Sequence, residues 1–302
     1  MSRSEGEKGS GFHELPLVLF TALTIAGAGI GVAHLGFSVL GWAPWIPPRW
    51  VRVAMGGLFA GGLLSSVGHL GKPLRGSLAL ARFGKSPLSN EIVGVGVALG
   101  GSLLALFLPS DHTFLGPASI VAMVSSVLVL LALGHVYRLG GQHAWMGPVL
   151  VHPLVLGLGL GSVALLGALP AGVQVRGELL ILSLLFLDGL LVWERTGRLS
   201  ASLRKGTPVQ PGFMRLRWAA LSLRVMLGVL VPAGALLWGE AGLALVSLSL
   251  NLLLDRLLFY GLAVRETTRS GILKVDEALR AHAGLYHPGH EPAPDPMQPV
   301  EE

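Results

Sequence analysis

The stretch LPLVLFTALTIAGAGIGVAHLGFSVLG occupies residues 15–41 and contains a single ionisable side chain, that of His34. About 20 apolar residues are enough to cross the hydrocarbon core of a bilayer as an α-helix. This stretch has 27 residues, so it predicts a membrane-spanning helix that is tilted or extended at the interface. It is also too long for the core of a signal peptide, which indicates that the helix is retained.

The rest of the chain repeats this pattern. Seven further apolar runs lie at about 50–68, 90–108, 114–137, 147–169, 176–194, 217–238 and 241–264. Only 13% of the residues are charged, about half the share in an ordinary soluble domain. The sequence therefore predicts an all-α integral membrane protein, a bundle of eight transmembrane helices within residues 15–264. A polar N-terminal segment covers residues 1–14, and a polar, extended tail covers 265–302.

Basic residues are distributed unequally between the two faces that this topology defines. The face opposite the termini has three, whereas the face that carries the termini has 17; the three are Arg49, Arg52 and Arg176. The positive-inside rule then predicts that both termini and the basic loops are cytoplasmic. A basic face that docks an acidic partner would give the same count, so a periplasmic docking face is the alternative.

One connection concentrates ionisable groups, namely GHLGKPLRGSLALARFGKSPLSNEI at residues 68–92. His69 closes the second apolar run and Glu91 opens the third, so we expect both side chains at one depth near the interface. A quinol that loses two electrons also loses two protons, and a histidine and a carboxylate beside an apolar pocket are suitable acceptors. From spacing alone, a solvated helix-end histidine and a glutamate favoured by the helix dipole are the simpler interpretation.

The middle of the same connection is basic. Its segment LRGSLALARFG has apolar residues at helical spacing and predicts a short interfacial helix between helices 2 and 3. The bases either bind phospholipid headgroups or grip the acidic surface of an electron-transfer partner. These bases are Lys72, Arg75, Arg82 and Lys85.

Several ionisable groups lie within the apolar runs themselves. Facing lipid would be too costly for charged groups, so pairing across helices is the default expectation and a proton path is the alternative. The charged residues are Asp188, Arg224, Asp255 and Arg256. His34, His135 and His152 raise the possibility of a bis-histidine haem, but only His34 is expected near mid-membrane, so haem is not expected. The chain has no cysteine, which excludes thiolate-bound iron–sulfur clusters and CxxCH haem attachment.

Three segments carry a family resemblance: GFHELPLVLFT at 11–21, HLGKPLRGSLALARFGKSPLSNEI at 69–92 and DRLLFYGL at 255–262. They resemble the membrane anchor subunit of the dimethyl sulfoxide reductase family. The resemblance implies an anchor in the cytoplasmic membrane of a prokaryote that binds menaquinol or menaquinone without haem. It also implies two partners: an iron–sulfur subunit with four clusters, and a catalytic subunit that holds a molybdenum or tungsten pterin. No nucleic-acid partner is expected.

The resemblance also carries residue roles. The histidine of its HLG motif and the glutamate of its SNEI motif are associated with quinol binding, and they match His69 and Glu91. Arg75 and Arg256 are carried over as further quinol-binding positions, and the basic middle of the connection as the docking surface for the iron–sulfur partner. A b-type cytochrome anchor and an ion or proton transporter are the alternative functions. The terminal substrate and the direction of electron flow stay open.

Overall fold

A computed structural model of the chain describes residues 15–69, 83–85, 87–136, 151–204 and 211–262, with the side chains of 68–69, 87–88, 136, 199–204, 211–217 and 261–262 outside the description. Within these residues all regular structure is helical. The helices are α1 (Leu15–Val39), α2 (Arg49–His69), α3 (Pro87–Phe107), α4 (Leu115–Val136), α5 (His152–Leu166), α6 (Ala171–Arg204), α7 (Pro211–Val225), a π-helical turn (Met226–Leu230), α8 (Val231–Leu237) and α9 (Ala241–Leu262).

The predicted helical membrane bundle is confirmed at the level of its apolar helices. Six described stretches are long and apolar enough to span a bilayer: Leu15–Val39, Arg49–Val67, Ser89–Phe107, Leu115–His135, Trp218–Leu237 and Ala241–Tyr260. Helix α5 is apolar but has 15 residues, and α6 has 34 residues with charges along its length. Residues 74–82 of the predicted interfacial helix and the predicted polar segments at both termini lie outside the described residues, and the last two residues of that helix, Phe83 and Gly84, lie in a turn.

Helix α6 extends beyond the predicted run at both ends. The apolar run predicted a helix over 176–194, whereas the helix spans Ala171–Arg204. Polar residues continue the helix after Trp193, and Glu194 pairs with Arg198 one turn later. Such pairs at i and i+4 support helices whose exposed residues are charged. The end of an apolar run therefore marked a change of environment, not the end of the helix.

Helix α1 lies at the centre of the bundle and packs against α2, α4, α5 and α9. Its contact with α5 is a close approach of backbones, because a Cβ added at Gly29 would fall on the carbonyl of Gly157 and one at Gly161 would fall on Gly29. Small residues allow membrane helices to approach in this way, where burial from water supplies no driving force. The glycines therefore determine how α1 and α5 pack.

The connection from α1 to α2 reverses the chain through a glycine with positive φ. Gly41 has φ +71°, a conformation that glycine adopts without steric cost. Its N–H donates to the Ser38 carbonyl (3.1 Å), and the Trp42 N–H donates to the Phe37 carbonyl (2.7 Å). The Phe37 and Trp42 rings lie 5.8 Å apart between centroids, which completes a Schellman motif. Gly239 ends α8 in the same way.

A π-helical turn joins α7 to α8 and packs on α9. The Val231 N–H donates to the Met226 carbonyl, five residues back. Pro232 has no N–H to continue this pattern, and the Leu227 carbonyl instead accepts a hydrogen bond from the Ser247 hydroxyl (2.7 Å). The turn is thus stabilised by a polar contact with α9.

The α1–α5 contact predicts that a larger residue at Gly29 lowers the stability of the protein. Replacing Gly29→Ala places a methyl group on the Gly157 backbone, and overpacking of this kind costs about 1–3 kcal/mol. We expect a lower melting temperature for the purified protein in detergent. Gly36→Ala on the same helix is the matched control, because no atom lies within 4 Å of its added Cβ. Equal melting temperatures for both variants would show that the close approach is not required.

Candidate functional site

Charged side chains of four helices meet in one buried group, which we call the ionic cluster. Each member exposes 7% or less of its surface. The cluster consists of His152 on α5, Asp188 and Arg195 on α6, Arg224 on α7, and Asp255 and Arg256 on α9. The predicted pairing across helices is confirmed for Asp188, Arg224 and Asp255, whereas Arg256 contacts Asp255 of its own helix.

Asp255 is the centre of this cluster. Its Oδ1 accepts from Arg195 Nη1 at 3.1 Å and from Arg224 Nη1 at 2.9 Å. Its Oδ2 accepts from Arg256 Nε at 2.9 Å and also contacts Arg256 Nη2. Three guanidinium groups thus converge on one carboxylate, and hydrogen bonds between ionised partners are stronger than neutral ones.

His152 connects the two carboxylates of the cluster. Its Nε2 lies 3.1 Å from Asp188 Oδ1, and its Nδ1 lies 3.4 Å from Arg195 Nη1. A neutral imidazole has one donor and one acceptor nitrogen, and each nitrogen here faces an arginine N–H group, which can only donate. Arg224 Nη2 also contacts the ring at Nε2. Both ring nitrogens are therefore engaged within the cluster.

The three histidines considered as haem ligands lie in different surroundings. His34 is close to the C-terminal end of α1 instead of at mid-helix, and its Nε2 lies 3.0 Å from the Pro44 carbonyl of the following connection. His135 is exposed near the end of α4, and His152 belongs to the ionic cluster. The structure does not bring these three together.

Glu91 lies in the first turns of α3 and exposes only 2% of its surface. Its Oε1 has no hydrogen-bond partner among the described residues. Of the four predicted quinol-binding residues, the structure describes the side chains of Glu91 on α3 and Arg256 on α9, and both are buried.

The packing of α2 on α3 shows which part of α3 lies beside the His69 backbone. Arg52 Nη1 donates to the Ala105 carbonyl, and Gly56 packs against Ser102, so the helices run antiparallel. Continuing this register to the end of α2 brings the His69 backbone level with the start of α3, where Glu91 lies. The side chain of His69 lies outside the described residues.

The predicted docking residues are placed only in part. Lys72, Arg75 and Arg82 lie outside the described residues. Lys85 is exposed in a turn at 83–85, just before α3. The Gly84 N–H of this turn donates to the Asn90 side-chain oxygen (2.7 Å), which ties the turn to the start of α3.

Sequence reasoning missed two members of the ionic cluster. It counted Arg195 among the 17 bases of the face that carries the termini and considered His152 only as a haem ligand. Asp188 and Arg195 are seven residues apart, a spacing that puts both side chains on one helix face. That spacing was the available signal for Arg195. No comparable pattern marked His152.

The cluster predicts a large effect of removing its central carboxylate. Asp255→Asn leaves three buried guanidinium groups with one aspartate, and breaking a buried ion pair costs about 3–5 kcal/mol. We expect a marked loss of folded protein recovered from membranes and a lower melting temperature. Asp111→Asn, at an exposed position, should leave both unchanged. Equal recovery of the two variants would contradict a stabilising role for the cluster.

Comparisons with known proteins identify the family of this chain. A family model described as DMSO reductase anchor subunit (DmsC) matches residues 8–262. The chain is 36% identical over 104 residues to the YnfH chain of anaerobic dimethyl sulfoxide reductase of Escherichia coli K12, which covers 31% of this chain and 34% of that relative. It is 35% identical over 138 residues to the C subunit of anaerobic dimethyl sulfoxide reductase of the same strain, covering 43% and 48%. The chain thus matches a third to about half the length of these relatives. Because the family model covers most of its length, this multi-pass membrane protein belongs to the DMSO reductase anchor subunit (DmsC) family.

Proposed function

We propose that this chain is the membrane anchor of a molybdopterin iron–sulfur oxidoreductase complex, in which it binds menaquinol or menaquinone and exchanges electrons with a docked four-cluster iron–sulfur subunit. Family membership supports the anchor role, and the two relatives are named as chains of anaerobic dimethyl sulfoxide reductase. The chain has no cysteine, so thiolate-bound clusters must belong to a partner.

The observation that carries the quinol assignment is the buried Glu91 carboxyl group, whose Oε1 has no hydrogen-bond partner among the described residues. A buried carboxyl oxygen without a hydrogen-bond donor is rare unless a ligand or ordered water completes its site. A quinol hydroxyl supplies such a donor. On oxidation, one quinol O–H bond breaks and its proton binds the Glu91 carboxylate, while two electrons pass to the iron–sulfur partner. His69, level with Glu91, is the proposed acceptor of the second proton.

The proposal includes a topology. Eight spans cross the cytoplasmic membrane, with α5 and α6 completing the six that meet the length and apolarity of a span by themselves. The basic loops and both termini are on the cytoplasmic side, as the distribution of lysine and arginine indicates. Glu91, the end of α2 and the ionic cluster then all belong to the half of the bundle nearer that side.

Replacing Glu91→Gln tests the quinol assignment. The amide cannot accept the quinol proton as a carboxylate does, so we expect quinol-dependent turnover of the complex to fall at least about 100-fold. Turnover driven by an artificial dye that reduces the partner subunits directly should be unchanged. His69→Gln should give the same pattern. Glu240→Gln, an exposed glutamate after α8, is the matched control. Wild-type quinol turnover in the Glu91 variant would remove this carboxyl from the site.

The proposed docking surface comprises Lys72, Arg75, Arg82 and Lys85, of which Lys85 is seen to be exposed. Charged groups at the rim of an interface mainly affect association and its salt dependence. Replacing Arg75→Ala together with Arg82→Ala should weaken retention of the iron–sulfur partner on membranes, most clearly at elevated salt.

Membrane fractionation measures that retention, and a paired variant controls for loss of charge. Arg49→Ala with Arg176→Ala removes two exposed arginines from the opposite end of the bundle. If the partner stays fully bound to the Arg75/Arg82 variant in high salt, those bases serve the lipid instead.

A further inference from the structure

Helix α6 continues past the part of the bundle that faces lipid. Its apolar run ends at Trp193, whose surface is 80% exposed, and the next residue begins a half-exposed ion pair between Glu194 and Arg198. Tryptophan is enriched where a helix leaves the hydrocarbon, and charged groups are too costly to face lipid tails. The helix nevertheless runs on to Arg204. Residues 194–204 therefore lie beyond the hydrocarbon, and we call them the α6 extension.

The α6 extension is longer than the headgroup layer is thick. From Glu194 to Arg204 the helix rises by about 15 Å, at 1.5 Å per residue. Each headgroup layer is roughly 5–8 Å thick, because about 30 Å of hydrocarbon lies within about 40–45 Å of bilayer. Even at the average tilt of about 20°, the end of the extension reaches the aqueous phase. Lipid headgroups alone therefore do not account for its length.

Contacts between helices place the α6 extension at the same end of the bundle as the connection from α2 to α3. The Arg195 side chain contacts the first residue of α5. Gly157 of α5 packs on Ile25 of α1. Four residues further along both helices, Gly161 packs on Gly29, so α5 runs parallel to α1. Helix α2 runs antiparallel to α1, and α3 runs antiparallel to α2. The α6 extension, the end of α2 and the start of α3 are therefore at one end of the bundle.

The chain that begins in the α6 extension is basic. Residues 195–239 contain seven arginine and lysine residues and no aspartate or glutamate. Arg195 and Arg224 bind Asp255 in the ionic cluster, and Arg198 pairs with Glu194. The other four bases are Arg204, Lys205, Arg215 and Arg217. A surface with basic groups of this kind attracts an acidic partner and directs its association.

We propose that the α6 extension is a second docking surface for the iron–sulfur subunit, which contacts it through an acidic face. This inference rests on the proposed function, which supplies that subunit, and adds a contact distinct from the basic connection between α2 and α3. Lys85, the described member of that connection's docking surface, lies at the same end of the bundle. Because Asp188 and Arg195 hold α6 in the ionic cluster, the subunit docks on a helix that is itself fixed in the bundle.

The chain has no cysteine, so single thiols can probe this surface directly. Gly197 lies in the α6 extension, is exposed, and has no described atom within 4 Å of an added Cβ. Gly172 has the same properties near the opposite end of α6. Gly197→Cys and Gly172→Cys are therefore matched probes. A polyethylene glycol maleimide can label each thiol in opened membrane vesicles, and the gel shift of this chain separates it from labelled partner subunits.

Assembly of the complex should protect only the probe in the α6 extension. We expect Gly197→Cys to be labelled at least about tenfold more slowly in membranes with the whole complex than in membranes that lack the partner subunits, because the core of an interface excludes solvent. Labelling of Gly172→Cys should be equal in both. Gly197→Trp places a large side chain at the same point and should release the iron–sulfur subunit when membranes are washed. Gly172→Trp should retain it.

The outcomes are distinct. Slower labelling of Gly197→Cys on assembly, together with release of the subunit from Gly197→Trp, establishes the inference. Equal labelling of Gly197→Cys with and without a bound iron–sulfur subunit overturns it and leaves the proposed function intact. Slow labelling of Gly197→Cys in both membranes also overturns it, because lipid or this chain then covers the extension. A wild-type chain that retains no iron–sulfur subunit overturns the proposed function, and this inference with it.

Discussion

The carboxylate of Asp255 is the group on which the second half of the bundle depends. It accepts hydrogen bonds from arginines of α6, α7 and its own helix α9, and lies 3.9 Å from His152 Nδ1 on α5. In a bilayer, helix association gains nothing from leaving water, because lipid tails are as apolar as leucine. Ion pairs that cannot face lipid then specify which helices must be neighbours. A single carboxylate thereby fixes the mutual arrangement of four helices.

The first half of the bundle is held in another way, and α5 belongs to both halves. Gly157 and Gly161 of α5 lie against α1, which is the central helix, whereas His152 at its beginning joins the ionic cluster. The distance from His152 to Gly161 is nine residues, or about 13 Å of helix. This short helix therefore packs on α1 through its glycines and contacts the helices of the ionic cluster through His152, so it connects the two halves.

The sequence predicted the helices and pairings that depend on local composition. It did not predict the features that depend on contacts between distant parts of the chain. Apolar runs predicted α1 and α9 to within two residues, because length and hydropathy alone determine a span. The cost of charge in a membrane predicted that Asp188, Arg224, Asp255 and Arg256 pair. Arg195 was not included in this prediction because the apolar run ends beside it. Helix α6 nevertheless continues past this residue, and the Arg195 side chain is buried. The π-helical turn also could not be predicted, since the Ser247 contact that accompanies it comes from another helix.

The ionic cluster also limits how the two protons of a quinol can be divided. Under the proposed function, Glu91 accepts one of them. His152 is a poor acceptor for the other, because an arginine faces each of its ring nitrogens. A second proton held among these buried arginines would also add a positive charge away from water. The proposed function therefore needs a second acceptor near the interface. His69, whose backbone at the end of α2 is level with Glu91, is the residue that we propose for this role.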